Sequence, residues 1–289
     1  MRRGINCRTR RLSRGTVPRP DLTLIASPPS SRRWRPRPAL PGRGRTLREL
    51  HALRGMLRTV NGAALHRYPR TGHGAPVLLI PGFLAGDQSL ARLAGHLADA
   101  GYDPQPARIA RNVDCSEATT AHLTERLDQV FVEHGRPVAL IGHSRGGMLA
   151  RVLARRRPEL VSGVITLASP HRDPLALNAW LLVHALALAG VGTAGVAGVV
   201  RFSCAAGACC AAFREDLAAT LPAGLECLSI YSRSDGIVDW RACLDPAGRH
   251  TEVHSSHCGM AGDRVAIHII ERAPARLYPH AGPRSALAA

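Results

Sequence analysis

The fold is decided by the stretch Val138-Ala139-Leu140-Ile141-Gly142-His143-Ser144-Arg145-Gly146-Gly147. Its apolar first half predicts a short buried strand, and the G-x-S-x-G pattern that follows predicts a tight turn with Ser144 at its tip. Glycines flank the serine because a side chain there would collide with the neighbouring strand and helix. The next residues, 148–154, predict a helix whose N-terminus faces Ser144 and favours negative charge. The stretch therefore predicts a strand–turn–helix unit that presents a nucleophilic serine.

Strands and helices alternate on both sides of this unit. The alternation predicts an α/β fold, with a mostly parallel central sheet covered by helices on both faces. The other predicted strands cover 76–80, 164–168, 225–231 and 251–253, and the other predicted helices cover 88–100, 117–134 and 264–272. We divide the chain into a disordered tail (1–58), a folded domain (59–280) and a flexible C-terminus (281–289).

One apolar segment interrupts the alternation. Residues 175–200 contain no charged side chain, and their length would suit a membrane span. A single crossing would, however, place Ser144 and the later catalytic candidates on opposite sides of the bilayer, and the many glycines weaken the segment as one helix. We predict instead a helical lid insertion, about 171–222, that lines an acyl pocket, with buried packing helices as the alternative. Peripheral contact with a membrane through 175–200 is a further expectation.

Positive charge is concentrated at the start of the chain. The formal net charge is +17, and residues 1–58 hold 16 arginines but only two acids, Asp21 and Glu49. The remainder is nearly neutral, so we expect no nucleic-acid partner. A tail this rich in Arg and Pro cannot bury a core, and we expect it to be disordered.

The role of this tail stays open at the sequence level. It could be inert, direct targeting, bind an acidic surface, or precede the true start of the protein, for which Met56 is a candidate. It contains no apolar stretch long enough for a secretory signal. We therefore expect a cytoplasmic or membrane-associated protein.

A serine nucleophile needs a base to take its proton and an acid to orient that base. With a G-x-S-x-G elbow, the chain order is serine, then acid, then histidine. Asp235 lies just past the predicted strand 225–231, in a glycine-containing turn. We assign Asp235 as the acid and keep Asp239, in the same loop, as the alternative.

The base is expected after the last predicted strand. His257 precedes a glycine in that loop and is assigned as the base, whereas His254 lies closer to the strand and is expected to pack or face solvent. His143 is expected to be a structural neighbour of Ser144, and His171 could line the pocket.

The negative oxygen of a tetrahedral intermediate needs two backbone N–H donors. One is expected from Arg145, directly after the nucleophile. The other is expected from Phe83, in the loop after the first core strand, where Gly82 lets the backbone approach. Only main-chain atoms are involved, so the identity of these side chains says little about the assignment.

Several segments resemble a known family. Pro-Gly-Phe at 81–83 stands where many lipases carry a His-Gly pair, and Ser-Pro-His at 169–171 resembles the lipase segment after the next strand. Residues 231–240 and 256–260 resemble the acid and histidine segments of bacterial lipase-like hydrolases. Over about 60–275, the chain resembles the α/β-hydrolase superfamily, in its lipase- and esterase-like branch.

The resemblance implies a serine hydrolase that cleaves acyl or lipid-like esters through an acyl-enzyme, without a cofactor or a metal ion. It does not fix the substrate or the oligomeric state. Acyl transfer by the same three residues and non-catalytic binding to a lipid surface remain alternatives.

The cysteines raise two further questions. Cys204, Cys209 and Cys210 lie close in sequence but lack a histidine at ligand spacing, so we predict no zinc site. Cys243 and Cys258 follow the acid and the histidine, and they could form a disulfide if those loops meet. Two unpaired thiols are the alternative.

Overall fold

The computed structural model describes Glu49 and residues 72–277. For Trp180, Ala206 and 274–277 it describes the backbone alone. Apart from Glu49, the predicted tail 1–58 lies outside the described residues, as does the predicted C-terminus 281–289. The division of the chain into these segments therefore stays a prediction.

In the part of the chain that the structure describes, six strands form one parallel sheet in the order β2-β1-β3-β4-β5-β6. The strands are β1 (Pro76–Ile80), β2 (Asp103–Pro106), β3 (Val138–His143), β4 (Val161–Leu167), β5 (Cys227–Tyr231) and β6 (Arg249–Glu252). The helices of the described part are α1 (Ala91–Asp99), α2 (Ser116–His134), α3 (Arg145–Arg156), α4 (Ala179–Thr193), α5 (Phe202–Ala206), α6 (Ala211–Ala218) and α7 (Arg264–Leu277). Short 3₁₀ helices cover Asp87–Leu90, Pro158–Leu160, Ala208–Cys210, Trp240–Cys243 and Met260–Gly262. The predicted parallel sheet with flanking helices is confirmed.

The core consists of two apolar layers, one on each face of the sheet. Successive side chains of a strand point to opposite faces. Leu78 and Ile80 of β1 pack with α2, α3 and α6, whereas Val77 and Leu79 pack with α1 and α7. Because both faces are covered, the central strands β1, β3 and β4 are mostly apolar and are buried at every position except Ser162.

Strand β2 is the element that the sequence analysis missed. Its sequence, Asp-Pro-Gln-Pro, is polar and contains two prolines, which lack the N–H that a strand needs to donate. Proline is tolerated here because β2 lies at the edge of the sheet and pairs only with β1.

Helices α4, α5 and α6 form the predicted insertion between β4 and β5. Helix α6 is anchored, since Phe213 and Leu217 are buried in the core beside α3. Helix α4 differs, because it leaves Val183 and Leu186 about half exposed or more, at 62% and 49%. Within the described residues, no helix is both long and apolar enough to cross a membrane.

Candidate active site

The turn between β3 and α3 holds Ser144 in a strained conformation, with φ +52° and ψ −120°. A side-chain carbon at Gly146 would come within 2.1 Å of the Ile80 carbonyl oxygen. One at Gly142 would come within 2.3 Å of the Gly146 backbone. The glycines are therefore required by close backbone approach, as the motif predicts. The Ser144 N–H also donates to the Leu167 carbonyl at 2.7 Å, which ties the turn to β4.

The structure brings Asp235 and His257 together. The Nδ1 atom of His257 lies 2.8 Å from Oδ2 of Asp235, and both residues are almost completely buried. The second carboxylate oxygen, Oδ1, accepts the N–H groups of Ile237 and Val238, each at 2.8 Å. With Nδ1–H engaged by Asp235, Nε2 is the nitrogen of His257 that remains for proton transfer.

The two alternative residues lie elsewhere. Asp239 caps the 3₁₀ helix that follows it, because its Oδ1 accepts the Arg241 N–H at 3.0 Å. His254 is exposed to solvent. The geometry thus favours the pair Asp235 and His257 over either alternative.

Two carboxylates control the protonation of His257. Burial by itself would lower the pKa of this imidazole. The carboxylates of Asp235 and Glu49 outweigh burial, so the pKa of His257 is raised above its usual value. The arrangement favours the imidazolium that forms when a base accepts a proton.

His143 supports the backbone of His257. Its Nε2 lies 3.0 Å from the His257 carbonyl oxygen, and the two ring centroids are 4.9 Å apart. Burial lowers the pKa of His143 to about 3, so the ring is neutral and its Nε2–H donates this hydrogen bond. His143 therefore lies beside the proposed nucleophile as a structural neighbour.

The loop after β1 lies directly against Ser144, the proposed nucleophile. A side-chain carbon at Gly82 would be 3.3 Å from Cβ of Ser144. Neither Phe83 N–H nor Arg145 N–H donates to another residue that the structure describes. These two amides are the ones that the sequence analysis assigns to the oxyanion.

A side-chain scaffold that the sequence analysis did not foresee holds this loop. The side-chain Nδ2 of Asn112 donates to the Pro81 carbonyl at 2.7 Å. The backbone carbonyl of Asn112 accepts the Leu84 N–H at 3.1 Å. The buried Arg145 guanidinium donates to the same Asn112 carbonyl at 3.3 Å and lies 5.9 Å from the Phe83 ring centroid. Burial lowers the pKa of Arg145 to about 10, which leaves it cationic near neutral pH. The Arg145 side chain thus holds this loop, in addition to the backbone N–H that the sequence analysis assigns to the oxyanion.

Glu49 joins the loops of the acid and the histidine. Its Oε1 accepts the N–H groups of Gly236 at 3.0 Å and His257 at 2.7 Å, and its Oε2 accepts that of Cys258 at 2.9 Å. The residue is buried, with 7% of its surface exposed. Glu49 thus lies against the site, although the sequence analysis assigns it to the tail. The only signal in the sequence is that Glu49 is one of two acids among 16 arginines.

Two further expectations concern the cysteines Cys243 and Cys258 and the histidine His171. Cys243 and Cys258 are free thiols, so the possible disulfide is not formed. Cys243 is instead buried against Tyr231 and Val238. His171 is buried, with Arg151, Asp245 and His250 as its titratable neighbours, and its place in the pocket stays a prediction.

Comparison with known proteins identifies the fold. The sequence profile described as the alpha/beta hydrolase fold matches residues 75–193. The chain is an α/β-hydrolase fold protein. Among solved structures, the chain is similar to the mature lipase BlEst2 of Bacillus licheniformis, with 16% identity, a TM-score of 0.52, and coverage of 72% of this chain and 94% of the lipase.

A second similar structure comes from work on LipS and LipT, two metagenome-derived lipolytic enzymes. It shows 21% identity and a TM-score of 0.50, and the match covers 71% of this chain and 94% of that one. The propeptide form of BlEst2 matches with 16% identity and a TM-score of 0.52, over 73% of this chain and 52% of that one. At these identities the likeness shows the α/β-hydrolase fold and does not define a substrate.

Proposed function

We propose that the protein is a serine hydrolase that cleaves carboxylic esters through an acyl-enzyme intermediate. The observation that carries the proposal is the buried 2.8 Å contact between Asp235 and His257, in a site whose turn presents Ser144. A buried acid–histidine pair of this kind serves to orient a base and stabilise its protonated form. The similar structures, a lipase and a structure from work on lipolytic enzymes, agree with this reaction class.

The residues take the following roles in the proposed reaction. Ser144 Oγ attacks the ester carbonyl while His257 Nε2 accepts its proton, and Asp235 holds the imidazole in the required tautomer. The Phe83 and Arg145 N–H groups stabilise the oxyanion of the tetrahedral intermediate. His257 then protonates the departing alcohol and activates the water that releases the carboxylic acid.

The insertion supports an apolar acyl group as part of the substrate. Val183, Leu186, Val191, Val196 and Phe202 each leave between 46% and 62% of their surface exposed. Exposed apolar side chains of this number favour contact with a lipid surface or an acyl chain. We therefore include peripheral membrane association through 175–200 in the proposal, and a cytoplasmic or membrane-associated location with it.

Hydrolysis of p-nitrophenyl esters from acetate to palmitate tests the proposal. Wild type is compared with Ser144→Ala and with Ser162→Ala, a matched control at the amino end of β4, far from the turn. We expect turnover by wild type and Ser162→Ala, and loss of turnover by at least 10³-fold in Ser144→Ala. Faster turnover of the longer esters is expected from the apolar insertion.

Two outcomes would count against the proposal. Equal turnover by Ser144→Ala and wild type would contradict the role of Ser144 as the nucleophile. A folded wild type that binds anionic and neutral vesicles but hydrolyses no ester would favour the lipid-binding alternative. Faster transfer of the acyl group to an added alcohol than to water would instead identify an acyltransferase that uses the same residues.

A further inference from the structure

Four cysteine thiols meet on the surface between α2 and the insertion. Cys115 is the residue that precedes α2, and Cys204 lies in α5, while Cys209 and Cys210 lie in the adjoining 3₁₀ helix. All four are free, and their Sγ atoms lie within 4.8 Å of one another. Two of the residues are buried, one is half-buried and Cys209 is exposed.

The spacing of the sulfurs fits a tetrahedron around one small ion. The Sγ–Sγ distances are 3.3 Å for Cys115 and Cys210, 3.4 Å for Cys204 and Cys209, and 3.6 Å for Cys209 and Cys210. Cys115 and Cys209 are 3.9 Å apart. Four sulfurs each about 2.3 Å from a central zinc ion are separated by about 3.8 Å. A disulfide would need about 2.05 Å, so these distances describe four separate sulfur ligands.

We propose that Cys115, Cys204, Cys209 and Cys210 bind one Zn²⁺ ion as a closed tetrahedral site. Binding replaces four S–H protons by four zinc–sulfur bonds, so four protons are released and no electron is transferred. The resulting group carries a net charge of −2. Tetrahedral sulfur-only coordination is typical of a structural zinc ion, because no position is left for water or substrate.

The residues around the thiols suit such a charged group. The Arg201 N–H points at Cys204 Sγ, 3.5 Å away. The Arg214 guanidinium donates to the carbonyls of Cys204 at 3.2 Å and Gly207 at 2.7 Å, which fixes the turn between the ligands. Arg145 is buried within electrostatic reach of Cys115. Outer groups of this kind orient metal ligands and balance their charge.

The position of the site defines its role. It links the insertion to Cys115, the residue that precedes α2, and these two segments are far apart in sequence. The segment before α2 also supplies the Asp114 carbonyl, which accepts a hydrogen bond from Arg145. A bound zinc ion would therefore hold the insertion, α2 and the loop that supports Phe83 in one arrangement. This proposal replaces the expectation of no metal, which considered only three cysteines and missed Cys115.

Metal content and a single surface substitution test the proposal. The full chain, purified from zinc-supplemented medium in the presence of a reductant, is analysed by inductively coupled plasma mass spectrometry. We expect about one zinc ion per chain. Cys209→Ser should lower this by at least tenfold and reduce Tm, although the side chain is exposed. Cys227→Ser, which replaces a buried thiol of β5 outside the cluster, should keep its zinc.

Replacement of zinc by Co²⁺ provides a readout that does not depend on stability. Four thiolates should give the intense visible bands of tetrahedral cobalt in wild type and Cys227→Ser, and Cys209→Ser should lose them. The proposal is overturned if the folded, reduced protein contains no metal and binds neither added Zn²⁺ nor Co²⁺. It is also overturned if Cys209→Ser retains a full complement of zinc, or if the native protein contains iron at these residues instead.

Discussion

At the scale of single residues, Glu49 is the least expected part of the site. Its carboxylate accepts three backbone N–H groups, two from the histidine loop and one from the acid loop. A buried N–H group without a partner costs about 1–3 kcal/mol. Glu49 thus holds together the two loops whose side chains must meet at 2.8 Å, without itself contacting the proposed nucleophile.

Replacing Glu49 should weaken the site in a graded way. Glu49→Ala leaves three donors unpaired, so we expect a lower kcat and a free energy of unfolding reduced by roughly 3 kcal/mol or more. Glu49→Gln retains an acceptor and should recover part of both losses. In each variant the negative charge that raises the pKa of His257 is gone, so the acidic limb of the pH–rate profile should move to lower pH.

Glu226→Gln serves as the control, because Glu226 is an exposed carboxylate that pairs with Arg249 on the surface. Its pH profile should match that of wild type. An acidic limb that stays in place in Glu49→Gln would contradict an electrostatic role for Glu49 at His257.

The two aspartates of the acid loop provide a matched pair. Asp235→Asn removes the charge that orients and stabilises the His257 imidazolium, and we expect kcat to fall by about 10⁴-fold. Asp239→Asn changes a carboxylate that caps a 3₁₀ helix and pairs with Arg241 away from His257, and it should leave kcat within a few-fold of wild type. Steady-state kinetics on one ester measures both. Similar losses in the two variants would contradict the assignment of Asp235.

At the scale of elements, the turn before α3 depends on close approach of backbones. Gly146→Ala would place a carbon 2.1 Å from the Ile80 carbonyl oxygen, so we expect loss of activity together with a large loss of stability. Gly95→Ala, in the exposed part of α1 with no neighbour within 4 Å, should raise the free energy of unfolding by about 0.5–1 kcal/mol. Chemical denaturation measures both, and an unchanged stability in Gly146→Ala would contradict the described packing.

Elements with a strong apolar period could be predicted from the sequence, whereas sites built from distant residues could not. The unit around Ser144 was predicted because its strand, turn and helix are adjacent and each follows local rules. Strand β2 lacks the apolar pattern and is fixed only by its pairing with β1. Cys115 and Glu49 gain their importance from chain segments far away, and no local pattern marks either residue.

At the scale of the whole molecule, two truncations distinguish the contribution of the tail from that of Glu49, the tail residue that contacts the site. Deletion of residues 1–40 keeps Glu49, and we expect activity close to that of the full chain. Deletion of 1–55, which begins the protein at Met56, removes Glu49 and should reproduce the lower kcat and shifted pH profile of Glu49→Ala. Ester hydrolysis across pH compares the three proteins. Full activity of the protein that begins at Met56 would contradict the role given to Glu49.

The central claim is that Ser144 is a nucleophile activated by His257 and Asp235. Intact-protein mass spectrometry after treatment with a fluorophosphonate tests it most directly, because the reagent bonds to an activated serine and needs no knowledge of the natural ester. We predict one adduct per chain, located on the peptide that contains Ser144, absent from Ser144→Ala and formed much more slowly by His257→Ala. No adduct on the folded wild type, or an adduct on another serine, would contradict the account.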